Sequence, residues 1–171
     1  MIVLAGASTV ALAGVSGAFG PRWGAPSGQC SAPTLPGSPI NVALTDMGGG
    51  MGMSGGNVGG MMRIQSDTAH VRAGAIALRV ANTGSLVHEL IVLPLAPNQR
   101  VGSRPVGNDG RVDETGSVAE VSRTCGPGAG DGINPGALSW STVQLQPGRY
   151  ELLCNLAGHY RSGMYTELTV P

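Results

Sequence analysis

The segment Cys154-Asn155-Leu156-Ala157-Gly158-His159-Tyr160-Arg161-Ser162-Gly163-Met164 sets a thiol, an imidazole and a thioether at Cys-x4-His-x4-Met spacing. A thiolate and imidazoles suit copper in both oxidation states, and a weak thioether completes the axial position of a mononuclear site. Alone, each residue has an ordinary reading: a buried cysteine is a small hydrophobe, and a methionine fills a core. Together, in one short loop, they form a donor set. A fourth donor must come from elsewhere, and His88, at the start of an apolar run, is the natural candidate. The chain has three histidines, so only His70 is left over. One spare histidine cannot supply the further cluster that a catalytic copper would need. The count therefore argues against an oxidase or reductase and for no enzymatic activity.

A loop can aim three side chains at one centre if it joins two strands that fix its ends. Residues 149–154 read as the strand before it and 165–170 as the strand after it. Upstream, residues 40–45, 61–66, 75–80, 87–93 and 138–146 also read as strands, with Pro94 ending the fourth and Pro147-Gly148 turning after the fifth. Residues 95–137 read as a long polar insertion rich in Gly and Pro. Within it, 113–122 is open between a short helix and a strand. Seven or eight short strands with turn signals between them predict an all-β fold, an antiparallel sandwich with Greek-key connections.

Ten basic residues balance ten acidic ones, so no basic excess points to nucleic acid. Charged residues are 12% of the chain, and Gly is 29 of 171 against a usual ~7%, which favours a loop-rich β protein. Residues 2–20 carry no charge and include Ala11-Leu12-Ala13, a small-x-small cleavage pattern, but no basic residue precedes Arg22. Residues 1–20 are therefore either a signal peptide or an uncleaved membrane anchor, and both place the protein outside the cytoplasm. Residues 21–39 read as a Pro/Gly/Ser linker and 40–171 as the folded domain. With Cys154 committed to metal, Cys30 and Cys125 form an even pair, and a disulfide is the default for an exported chain. It would close a loop of about 95 residues and stabilise the fold by roughly 4–5 kcal/mol in the chain-entropy account.

Met47, Met51, Met53, Met61 and Met62 stand in Gly-rich sequence. Thioethers favour Cu(I), so one reading is a secondary Cu(I) site for delivery or storage. The other is a hairpin whose methionines pack on the edge of the sandwich.

Asn82-Thr83-Gly84 followed by His88-Glu89-Leu90, then 138–150, then Cys154 to Met164, resemble the cupredoxins, and within them sulfocyanin and its bacterial relatives. The resemblance covers residues 40–171. It implies one type 1 copper, with His88, Cys154 and His159 equatorial and Met164 axial. It also implies one-electron transfer between redox partners that dock on an apolar surface near His159. Tyr160 is open between docking and loop packing. Glu89 occupies a position where cupredoxins often carry an asparagine that ties the ligand loops together.

Overall fold

The computed structural model describes residues 30–46 and 62–171. Eight strands form two four-stranded sheets, and no α-helix occurs among the described residues. The strands are β1 (Ser38–Asp46), β2 (Met62–Ser66), β3 (Gly74–Asn82), β4 (Leu90–Leu95), β5 (Ala119–Val121), β6 (Leu138–Leu145), β7 (Gly148–Leu153) and β8 (Tyr165–Val170). The first sheet has the order β2-β1-β3-β6 and the second β5-β4-β7-β8. The all-β Greek-key sandwich expected from the strand pattern is the fold observed.

One pair departs from the antiparallel expectation. β2 returns antiparallel on one side of β1, and β3 then pairs on the other side, so β1 and β3 run parallel from Ser38↔Ile76 to Leu44↔Asn82. Residues 113–122 yield the three-residue strand β5. Pro94 lies inside β4 and does not end it. β5 reaches only Leu90 to Val92, so Pro94 sits where β4 has become a sheet edge and a missing N–H breaks no ladder.

Alternation places Ile40, Val42 and Leu44 of β1, and Ile76, Leu78 and Val80 of β3, against Leu90, Val92, Leu152 and Cys154 of the second sheet. This inter-sheet core also takes Met164 and Leu168. A second cluster forms on the outer face of the second sheet, where Ile91, Leu93 and Leu153 meet Val112 and Tyr160. The first part of the segment expected to be a polar insertion thus folds back as a cover, while Val121, Ile133 and Ala137 of its second part enter the inter-sheet core. Cys30 and Cys125 are joined as expected, with Cα atoms 5.2 Å apart, which ties residue 30 to the stretch beside β6, where Cys125 N–H donates to Leu138 O.

Candidate metal centre

β7 alternates Tyr150, Leu152 and Cys154 inward and Glu151 and Leu153 outward, so the thiol that follows the strand enters the inter-sheet core. The loop from Cys154 to Met164 is closed by its own backbone. Cys154 N–H donates to Met164 O (3.1 Å), and Met164 N–H donates to His159 O (3.2 Å). Two glycines make the tight path possible: Gly158 (φ +84°) and Gly163 (φ +88°) hold left-handed conformations that L side chains resist. Met164 and Cys154 are both fully buried.

His88 precedes β4 in an antiparallel bridge with Ile133, by N–H donation to Ile133 O (3.2 Å) and acceptance from Ile133 N–H (2.7 Å). The buried Asn82 amide shapes the approach by donating to Leu86 O and Ile133 O, each at 2.7 Å. His88 is wholly buried, and its ring meets His159 edge-on with centroids 5.1 Å apart.

Three donor atoms converge. His159 Nδ1 lies 3.3 Å from His88 Nδ1 and 3.3 Å from Cys154 Sγ, and Cys154 Sγ lies 4.0 Å from His88 Nδ1. A single point in their plane is about 2.1 Å from all three, close to metal–nitrogen distances of about 2.0–2.1 Å and metal–sulfur of about 2.3 Å. Two imidazoles and one thiol in a triangle, with a thioether following in the same buried loop, are the ligand chemistry of a blue-copper centre. The residues present fit one type 1 copper.

The surroundings tune each donor. Burial pushes the Cys154 thiol up to about 12, although N–H groups of Leu156 and Glu89 pull the other way. The Glu89 N–H lies 3.4 Å from Sγ. Burial first, and then the neighbouring His88, lower His159 from the usual histidine value, while Asp46 acts the other way. Glu89 does tie the ligand loops: its Oε1 accepts from Asn155 N–H at 3.1 Å. Burial first, then Glu114 and Glu120, raise that carboxyl to about 7. Asn155 in turn bonds the cover, accepting from Val112 N–H (2.7 Å) and donating to Val112 O (3.0 Å) and Glu114 Oε1 (2.6 Å).

Two residues not singled out by sequence complete the surroundings. Asp46, the last residue of β1, receives the Nε2 side of His88 at 2.8 Å. Burial raises its carboxyl, but hydrogen bonds from Ser85, Leu86 and His88 outweigh this and hold it far below the usual range. No local signal marks Asp46, because its partner lies 42 positions away. Glu151 is fully buried beneath the cover, bonded by Arg104 Nε (2.5 Å), Gly102 N–H (2.6 Å) and Tyr160 Oη–H (2.8 Å). Tyr160 is only 3% exposed, so its side chain packs inward, as the loop-packing reading has it. Met62 lies in β2 and packs against the inter-sheet core. Met47, Met51, Met53 and Met61 lie outside the described residues.

The family profile described as "Sulfocyanin (SoxE) domain" matches residues 52–171. No curated protein matches. Among solved structures, rusticyanin from Thiobacillus ferrooxidans is similar at 16% identity, over 80% of this chain and 79% of that one, with a TM-score of 0.46. Reduced auracyanin from Roseiflexus castenholzii shares 18% identity over 79% of this chain and 99% of its own, with a TM-score of 0.48. Auracyanin A, a "blue" copper protein from Chloroflexus aurantiacus, shares 17% over 78% of this chain and 100% of its own, with a TM-score of 0.46. The profile match spans well over half of the chain, and with the donor triangle in place this protein belongs to the sulfocyanin family of cupredoxins.

Proposed function

We propose that this protein carries single electrons between redox proteins outside the cytoplasm, with one type 1 copper held by His88, Cys154 and His159 and axially by Met164. The observation that carries the reading is the convergence of Nδ1, Nδ1 and Sγ within hydrogen-bonded, buried loops. Bound copper would supply the one-electron Cu(II)/Cu(I) couple.

The protein's own part is to hold the donors still. The Cys154–Met164 and Met164–His159 backbone bonds, the Glu89–Asn155 bond and the His88–Ile133 bridge leave little freedom for the donor atoms to move. A frame that changes little with oxidation state lowers the reorganisation that opposes transfer. Cys154 must give up its proton to bind metal. His159 is half-buried, and an exposed apolar residue stands two positions before each ligand histidine: Leu86, 46% exposed, before His88, and Ala157 before His159. A redox partner would dock there.

His70, the remaining histidine, bridges to Thr169 at the far end of β8, about 13 Å along the strand from Tyr165 at ~3.3 Å per residue. It is poorly placed to support a second, catalytic copper. The Cys30–Cys125 disulfide supports an oxidising compartment. On this reading residues 1–20 direct export or anchor the chain, 21–39 act as a tether that is fastened to the domain at Cys30 and runs into β1 at Ser38, and 40–171 form the copper domain.

The test is titration of the protein with Cu(II), followed by visible and EPR spectra, with Cys154→Ser in parallel. The wild type should turn intensely blue through thiolate-to-copper charge transfer and give a reversible one-electron wave. Cys154→Ser should lose the colour entirely. A colourless Cu(II) complex of the wild type would sink the proposal.

A further inference from the structure

The buried imidazole of His88 has two nitrogens with different tasks. Nδ1 faces Cys154 and His159, while Nε2 meets Asp46 Oδ1 at 2.8 Å. Asp46 belongs to the sheet that supplies none of the converging donors. Its carboxylate is itself immobilised by Ser85 N–H (2.7 Å), Ser85 Oγ (2.5 Å) and Leu86 N–H (3.1 Å). Those donors sit in the turn that leads into His88. The end of β1 is pinned to the same turn by Thr83 N–H on Leu44 O and by the Thr45–Thr83 hydroxyl pair, both at 2.8 Å. The Asp46 side chain is 7% exposed and the His88 side chain 0%.

We propose that Asp46 is the positioning residue of the centre: it fixes His88 as the Nε2–H tautomer, and its charge holds the reduction potential down. The proposal rests on the functional reading above, in which His88 binds copper. A neutral imidazole has one N–H and one lone pair. Donation of Nε2–H to a carboxylate leaves the lone pair on Nδ1, aimed at the site, and makes that nitrogen a stronger base. A fixed negative charge favours the 2+ over the 1+ state of a nearby metal, and does so more strongly in a poorly solvated setting. Among the described residues His159 has no carboxylate partner of this kind, so this control acts through His88 alone.

Asp46→Asn keeps the size and an acceptor oxygen but removes the charge, whereas Asp46→Ala removes both. Asp46→Asn should weaken Cu(II) relative to Cu(I) on the order of tenfold, read in voltammetry as a rise of about 59 mV. Asp67→Asn, which removes an equal charge next to Asn41, should leave the potential unchanged. In metal-free wild type, ring 15N shifts should show His88 as Nε2–H, and Asp46→Ala should mix the tautomers. An unchanged potential in Asp46→Asn, or an Nδ1–H tautomer in the wild type, would overturn the proposal. The wild-type tautomer needs neither metal nor variant, so it decides the Asp46–His88 pair even if the copper complex proves colourless and the functional reading falls.

Discussion

The first sheet buries one face and leaves the other partly open, while the second sheet is covered on both. In β3, Ile76, Leu78 and Val80 point into the core, and of the alternate residues Ala77 is buried but Arg79 and Ala81 are partly exposed. In β4, Leu90, Ile91, Val92 and Leu93 are all buried, and β7 buries Tyr150, Glu151, Leu152 and Leu153 in succession. The second sheet is also the one that leads into Cys154, His159 and Met164. Its extra cover, the part of the insertion before β5, reaches the ligand loop through Val112 and Glu114 on Asn155 and through Arg104 on Tyr160. Covering both faces fixes the strands from which the donors hang. The wetter sheet serves as a wall, apart from Asp46 at its rim.

Matched truncations give the sharpest test of this contrast. Leu78 lies in the inter-sheet core and Leu93 in the outer one, and both are essentially unexposed. If the cover is a packed layer, Leu93→Ala should cost as much as Leu78→Ala, roughly 3–5 kcal/mol each. Urea denaturation of the metal-free protein measures both. A cost under about 1 kcal/mol for Leu93→Ala would mean that the cover is a loose surface loop and the contrast between sheets is false.

A second difference is electrostatic. Glu89 sits at the head of β4 with its carboxyl raised to about 7, chiefly by burial. Between 4.5 and 7 the folded state therefore holds a proton that the unfolded chain has released. The stabilisation is fully present below pH 4.5 and is lost as pH rises through 7, a change on the order of 3 kcal/mol at 1.36 kcal/mol per unit. The Cys154 thiol is raised too, but it titrates only above the ordinary value of 9.0, outside this window. His159, lowered from 6.5, acts in the same window with the opposite slope, its contribution being lost as pH falls, so the test is the difference between variant and wild type. The wild type minus Glu89→Gln stability difference of the metal-free protein should shrink as pH rises from 4.5 to 8, and a difference that stays constant would remove Glu89 from the account.

Much of the donor set was legible because it is local. Cys154, His159 and Met164 fall within eleven residues, and strand signals flank them. His88 needed the resemblance and the scarcity of histidines. The run Leu90-Ile91-Val92-Leu93 reads as a strand, and its lack of alternation, the pattern of a strand buried on both faces, gained its meaning only once the cover was seen. What covers it was not legible, because a Gly- and Pro-rich segment looks polar wherever its few apolar side chains point. Val112 and Tyr160 meet on the outer face from segments 48 positions apart. The Asp46–His88 and Glu151–Arg104 pairs are hidden for the same reason, since separations of 42 and 47 residues leave no periodicity to read.

Tyr160→Phe is the smallest perturbation of the covered sheet. The tyrosine ring packs beneath the cover and against Tyr165, with centroids 5.0 Å apart, and phenylalanine keeps that packing. The hydroxyl does two things that phenylalanine cannot: it donates to Glu151 Oε1 at 2.8 Å and accepts from Arg104 N–H at 3.1 Å. Its loss takes one of three donors from a fully buried carboxylate and leaves a backbone N–H of the cover unpaired, a cost of about 1–2 kcal/mol. In the first sheet Ser139 is the fair counterpart, since its buried hydroxyl donates only to Gly126 O at 3.0 Å, and Ser139→Ala should cost about 1 kcal/mol. The copper spectrum separates them further. Tyr160 follows His159 directly, so loosening it should broaden the Cu(II) EPR features, whereas Ser139→Ala should leave them untouched. Identical spectra in the two variants would mean that the cover stabilises the sheet without steadying the donors.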